Sequence, residues 1–177
     1  MRYNQIRECD IANGEGIGVA LFVQGCRFHC HNCFNPETWS FNGGKEWSAQ
    51  LEQKLLEIAD KPYIKRLSLL GGEPLAYENL YDVLHLVNAF KDLYPNKRIW
   101  IYSGYTFEQI FDNSADVSKD SRLLYRREIL KRCDIMVDGQ YVDSLRDVRL
   151  HWRGSSNQRV IDLQSSVLNN RIILYTD

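Results

Sequence analysis

Four short apolar runs, residues 19–23, 67–70, 99–102 and 135–137, alternate with segments whose hydrophobic residues recur at helical spacing. Runs that are apolar throughout predict strands buried on both faces, and successive strands of that kind run the same way only when a crossover joins them. The intervening segments supply helices for that purpose. Leu51, Leu55, Ile58 and Ala59 share one face of a helix opened by Ser48 as N-cap and stopped near Pro62. Leu80, Val83, Leu84, Val87 and Phe90 repeat the pattern. Residues 121–132 predict a third helix, whose basic run Arg126, Arg127, Lys131 and Arg132 reads as a solvated face. The expected fold is α/β, a parallel sheet covered by helices, with residues 172–175 adding a strand or packing on a partner.

A chain of 177 residues has room for one sizeable core. Residues 1–177 are therefore expected to form a single domain, with 165–177 a possible C-terminal extension and 113–121 (NSADVSKDS) a flexible surface loop. The 22 basic and 23 acidic residues leave a formal charge of -1, so no overall field favours nucleic acid or an anionic membrane as partner. No apolar run is long enough for a membrane span, and the N-terminus MRYNQIRECD lacks the basic and hydrophobic regions of a secretion signal. The expected location is cytoplasmic. Thiols stay reduced there, so five cysteines, three of them within eight positions, point to metal or redox chemistry before disulfides.

In parallel α/β sheets chemistry gathers at the carboxyl ends of the strands. The four predicted strands end in Gly25-Cys26, Gly71-Gly72-Glu73-Pro74, Ser103-Gly104 and Asp138-Gly139. A glycine with a polar or thiol side chain at every end is more than loop composition requires. The first end opens the cluster Cys26, Cys30 and Cys33, spaced C-x3-C-x2-C, and a loop that turns back on itself brings such thiolates toward one metal centre. Three readings stand at this point. Zinc would need a fourth ligand from His29, His31 or Cys133, whereas an iron-sulfur cluster with three protein ligands would keep one iron open. Thiols packed merely as small hydrophobes fit badly beside Arg27, His29, His31 and Asn32.

A C-x3-C-x2-C triad after one strand and Gly-Gly-Glu-Pro after the next resemble the radical S-adenosylmethionine (SAM) enzymes. The blocks Asn13-Gly14-x-Gly16, Phe22-Val23-x-Gly25-Cys26, Cys33-Phe34-Asn35, Thr38-Trp39, residues 99–105 (IWIYSGY), Val137-Asp138-Gly139 and residues 152–159 (WRGSSNQR) narrow the likeness. In this order, over most of the chain, they resemble the activating proteins of anaerobic (class III) ribonucleoside-triphosphate reductases.

The resemblance implies a single-domain partial, open β/α barrel of the radical SAM type. It implies a [4Fe-4S] cluster on Cys26, Cys30 and Cys33, whose fourth iron is chelated by the amino and carboxylate groups of SAM. One electron from the cluster would split SAM into methionine and a 5'-deoxyadenosyl radical, which takes a hydrogen atom from a glycine of the reductase. The implied partners are the glycine-bearing loop of that reductase and a low-potential electron donor such as flavodoxin. Glu73 would accept a hydrogen bond from the methionine ammonium, and Gly71 and Gly72 would offer bare backbone to the ligand. Asn32, through its backbone, would lie with Cys33 and Phe34 beside the adenine. No acid, base or nucleophile side chain is required. The alternatives are the same chemistry on another glycyl-radical enzyme, such as pyruvate formate-lyase, and a zinc-binding module that is not an enzyme.

Ser103 and Asp138 are further candidates for SAM contacts. Gln140 stands where related activators can carry a lysine, and Glu15 and Gly18 stand where the family commonly has Pro and Arg. The glycine-rich stretch 14–18 is not a dinucleotide fingerprint, since its spacing is wrong and it precedes a strand. His29 and His31 either tune a cluster through hydrogen bonds or face solvent, His85 and His151 have no evident partner, and Cys9 and Cys133 read as ordinary thiols. Residues 154–159 are expected to shape the site or to dock the reductase.

Overall fold

The four apolar runs are the centre of the sheet. The computed structural model describes residues 1–112 and 120–176, and in it the runs become β2 Gly18–Val23, β4 Arg66–Gly71, β5 Arg98–Ser103 and β6 Ile135–Asp138. They pair in parallel, with Val19 opposite Leu67, Leu67 opposite Ile99 and Ile101 opposite Met136. Helices α1 Ala49–Ala59 and α2 Leu80–Leu93 make the first two crossovers. Helices α3 Phe107–Phe111 and α4 Ser121–Arg132 lie in the third. Ser48 caps α1 as predicted, its Oγ accepting from the Leu51 amide at 3.2 Å. The predicted surface loop at 113–121 falls mostly on residues outside the described ones.

The sheet is not wholly parallel, which corrects the sequence expectation. Strands β1 Arg2–Asp10, β3 Lys45–Glu46, β7 Arg159–Asp162 and β8 Leu174–Thr176 join it antiparallel, giving eight strands in the order β3-β1-β2-β4-β5-β6-β7-β8. The added strands are polar or very short because they lie at the sheet's margins and need only one buried face. The run at 172–175 does add a strand, shifted to β8, which pairs with β7. Ahead of it a short helix, α5 Leu163–Asn169, is capped by the Asp162 carboxylate on the Ser165 amide at 2.9 Å. Asn170 ends that helix in a left-handed conformation, φ 49°.

Alternation along the strands divides the buried residues into two faces. Val19, Leu21, Val23, Leu67, Leu69, Ile99, Ile101 and Met136 pack against Leu55, Val83, Val87, Phe90, Ile129 and Leu163 of the helices. All five helices bury their apolar residues on this side, where His85 of α2 also meets Glu52 Oε1 of α1 at 2.7 Å. The opposite face carries Ala20, Phe22 and Leu70 toward one side and Trp100, Ile135, Val137 and Val160 toward the other. Among the described residues the second face is not covered by helices and instead lines a cavity. No helix among the described residues is long and apolar enough to cross a membrane.

One buried ion pair anchors this second face. Arg66 Nη2 donates to Asp10 Oδ2 at 2.7 Å, with both side chains almost wholly buried, and Ser68 and the Asn13 carbonyl complete the network. The glycine-rich stretch before β2 exists for it. A Cβ at Gly18 would lie 2.5 Å from Arg66 Cγ, and one at Gly14 would lie 2.7 Å from the Trp100 ring.

Candidate metal centre

The cysteine loop leaves β2 at Gly25, whose φ of 96° and approach to the Phe41 ring exclude a side chain. Its return is held by backbone bonds from Gly25 N to the Thr38 carbonyl at 2.7 Å and from Cys26 N to the Trp39 carbonyl at 3.0 Å. Two left-handed residues, His29 at φ 47° and Asn32 at φ 53°, bend the segment between. Cys33 N then bonds the Cys30 carbonyl at 3.1 Å. The result is that Cys26, Cys30 and Cys33 line one cavity of about 580 Å³ at the carboxyl ends of the parallel strands.

Burial pushes the Cys26 thiol up to about 11, with the Glu73 and Cys30 charges adding to it. Cys30 is also raised, by burial first and by Cys33. Burial therefore favours the protonated thiol at Cys26 and Cys30, and a cationic centre has to displace those protons. Among the described residues no three Cys, His, Asp or Glu side chains are gathered tightly enough to grip a single ion. A cubane cluster asks something different, because its irons occupy separate corners and its thiolates need only face one cavity. None of the fourth ligands considered for zinc lines the cavity: Cys133 is buried in the helix-side core, His29 stacks on Trp39 with ring centroids 4.7 Å apart, and His31 is exposed.

The end of β4 is bonded directly to this loop. Gly72 N donates to the Val23 carbonyl at 2.9 Å and Glu73 N to the Gly25 carbonyl at 2.8 Å. A Cβ at Gly72 would fall 2.6 Å from the Gly25 carbonyl oxygen, so backbone approach to the cysteine loop, besides any ligand, requires glycine there. Glu73 is buried and aimed into the cavity, its oxygens accepting from Leu75 N at 2.8 Å, Ser103 Oγ at 2.9 Å and Gly104 N at 2.8 Å. Burial raises its carboxyl to about 7, the three donors opposing the shift. Three bonds leave one of the roughly four lone-pair sites of a carboxylate for a further donor.

Of the residues expected at the site, Cys26, Cys30, Cys33, Phe34, Gly71, Gly72 and Glu73 all line the cavity. Asn32 does not: its Nδ2 donates to Asp143 Oδ2 at 2.9 Å, and Tyr141 OH donates to the other oxygen at 2.8 Å. Phe34 lies against Tyr141, ring centroids 5.0 Å apart. Ser103 lines the cavity, whereas Asp138 is committed to Arg159 Nε at 3.0 Å and Phe107 N at 2.9 Å. Gln158 explains part of the 154–159 block. Its Oε1 accepts from Gly154 N at 3.0 Å and its Nε2 donates to the Gly139 carbonyl at 2.9 Å, which fastens the segment between β6 and β7 into a wall of the cavity. Tyr141 and its partner Asp143 carried no signal in the sequence, whereas Trp152 opens the 152–159 block and lines the cavity.

Comparison with known proteins agrees with this geometry. A family profile described as "4Fe-4S single cluster domain" matches residues 12–161. The anaerobic ribonucleoside-triphosphate reductase-activating protein of Enterobacteria phage T4 is 37% identical over 160 residues, 90% of this chain and 93% of the relative. The proteins of that name from Escherichia coli K12 and Vibrio cholerae are each 36% identical, over 166 residues (93% of this chain, 100% of the relative) and 160 residues (89% and 96%). With that identity over nearly its whole described length, and with its three loop thiols on one cavity, the chain belongs to the family of anaerobic ribonucleoside-triphosphate reductase-activating proteins.

Proposed function

We propose that this protein is a radical SAM activase that generates a glycyl radical on an anaerobic ribonucleoside-triphosphate reductase. The observation that carries this reading is the meeting, in one cavity, of the three loop thiols with Glu73, the sole carboxylate among its lining residues. Residues 1–177 act as one domain with the character of an open β/α barrel. Four parallel strands with helices on one face and the cavity on the other support that description.

Cys26, Cys30 and Cys33 would hold the [4Fe-4S] cluster, and Glu73 would accept a hydrogen bond from the amino group of SAM. Bound together, these groups supply a one-electron cleavage of the sulfonium and a 5'-deoxyadenosyl radical able to take a hydrogen atom from glycine. The protein's own part is positional. The Gly72 and Glu73 amides tie the ligand-holding strand end to the cysteine loop, so the amino-group acceptor and the iron ligands keep a fixed separation. Phe22, Leu70, Tyr102, Val137 and Trp152 give the cavity apolar walls that exclude water. Phe34 and the backbone near Asn32 border the adenine side. A low-potential donor such as flavodoxin provides the electron, in the cytoplasm.

Anaerobic reconstitution with iron and sulfide tests the reading. The expected product is a brown protein that dithionite bleaches and that cleaves SAM; with the reductase it yields a glycyl radical by electron paramagnetic resonance. A colourless protein with one zinc per chain would refute it. A radical on pyruvate formate-lyase but none on the reductase would move the activity to another glycyl-radical enzyme.

A further inference from the structure

The charged side chains of the cavity are unevenly placed. Glu73 stands among the cysteines, and the remaining charged groups of the lining are the guanidiniums of Arg7 and Arg153. Arg7 projects from β1, opposite Ala20 in register, with its guanidinium 4.4 Å from the centroid of the Phe22 ring. Arg153 comes from the segment between β6 and β7, and its Nε is buried with no hydrogen-bond partner. Since β1 and β7 flank the parallel strands on opposite sides, the two cations approach from opposing walls.

Neither guanidinium has a carboxylate within ion-pair distance among the described residues, whereas the buried Arg66 and the half-buried Arg159 each have one. A desolvated N–H without an acceptor is costly, and two guanidiniums without a carboxylate partner on one cavity favour an anionic occupant. SAM is the weaker claimant under the reading above: its single carboxylate already binds the open iron, and the rest of the molecule carries no anion. The mouth adds exposed apolar side chains, Phe34 beside Cys33, Ile11 beside Ala12, and Val148 close to Leu150, a surface suited to a protein.

We infer that Arg7 and Arg153 bind a carboxylate of the partner protein's glycine-bearing loop, an aspartate or glutamate side chain near the glycine. The inference rests on the proposed function, in which a protein loop enters this cavity. The acid would fix how far the loop inserts, and so set its glycine against the radical.

The test uses the cluster-loaded protein and the intact reductase, with glycyl radical formation followed against reductase concentration. Arg153→Gln is expected to raise the KM for the reductase about tenfold or more and to lower kcat with it, since the glycine is then less well set against the radical, and Arg7→Gln to act in the same direction. Arg153→Lys, which keeps the charge, recovers part of the loss. Changing the loop's acidic residues to amides one at a time should reproduce the loss at one position, with no added cost in combination with Arg153→Gln. The KM of the wild type should climb with salt more steeply than that of either variant. Unchanged KM in both variants, or no loop acid coupled to Arg153, would overturn the inference while leaving the proposed function standing. A raised KM for SAM in partner-free cleavage would also overturn it, by assigning the guanidiniums to SAM. A wild type that cleaves SAM yet forms no glycyl radical on the reductase would bring down the proposed function, and this inference with it.

Discussion

Ser103 Oγ donates to Glu73 Oε1 at 2.9 Å, joining the ends of β5 and β4 at the one carboxylate of the cavity. Gly104 N binds the second carboxylate oxygen at 2.8 Å, so both oxygens are oriented before any ligand arrives. An acceptor held by neighbouring strand ends costs little reorganisation when an amino group binds.

Glu73 titrates against folding. Its carboxyl rises by burial from 4.5 to about 7, so between those values the folded chain holds a proton that the unfolded chain has released. Stability is then largest below the unfolded value and falls as pH climbs to about 7, by about 3 kcal/mol in all. Glu73→Gln should lack this slope, which urea titrations of both proteins at pH about 4.5 and about 7.5 would measure. Parallel curves for the two would refute it.

Ligand binding should run the other way with pH. An amino N–H polarised by iron donates best to an ionised carboxylate, so SAM affinity of the cluster-loaded protein is expected to rise as pH passes about 7 and then level off. Glu73→Gln should weaken SAM by roughly ten- to a hundredfold and remove that rise, as read by calorimetry.

Each of Cys26→Ala, Cys30→Ala and Cys33→Ala is expected to lose the cluster absorbance and most of the bound iron after reconstitution, while Cys133→Ala retains both. Cys133 lies in the core on the helix side and has no route to the cavity. Iron analysis of the four variants checks this, and a Cys133 variant without iron would contradict it.

Asp10→Ala strands Arg66, which is fully buried and draws its Asp10 contact at 2.7 Å. Removing one partner of a buried pair costs about 3–5 kcal/mol, so the variant should unfold at markedly lower urea. A shift worth less than about 1 kcal/mol would mean that Ser68 and water satisfy Arg66 unaided.

Asp143→Ala breaks the contacts to Asn32 and Tyr141 that tie the cysteine loop to the far wall of the cavity. Faster loss of iron to a chelator, with little change in overall stability, is the expected outcome. Chelator kinetics equal to wild type would show that Asp143 does not steady the loop.

The parallel strands were legible because their residues are apolar on both faces, and the triad with Gly71, Gly72 and Glu73 because fixed spacing follows fixed strand ends. What stayed hidden was non-local or irregular. Strand β1 has register shifts between Tyr3 and Gln5 and between Arg7 and Asp10, so the alternation that identifies a strand is interrupted twice. Strand β7 offers only Val160 and Ile161 as buried residues. Asn32 was read from its neighbour Cys33, yet its side chain answers to Asp143, more than a hundred residues away in the chain, which no local pattern encodes.

The amide bonds from Gly72 to Val23 and from Glu73 to Gly25 make the cysteine loop and the end of β4 a single cartridge drawn from two separate stretches of chain. The helix that links them, α1, packs on the far side of the sheet and touches none of the cavity. Insertions or shortening in that linker are therefore compatible with an intact cartridge, whereas a transplant of the cysteine loop alone into another α/β protein would arrive without its counterpart.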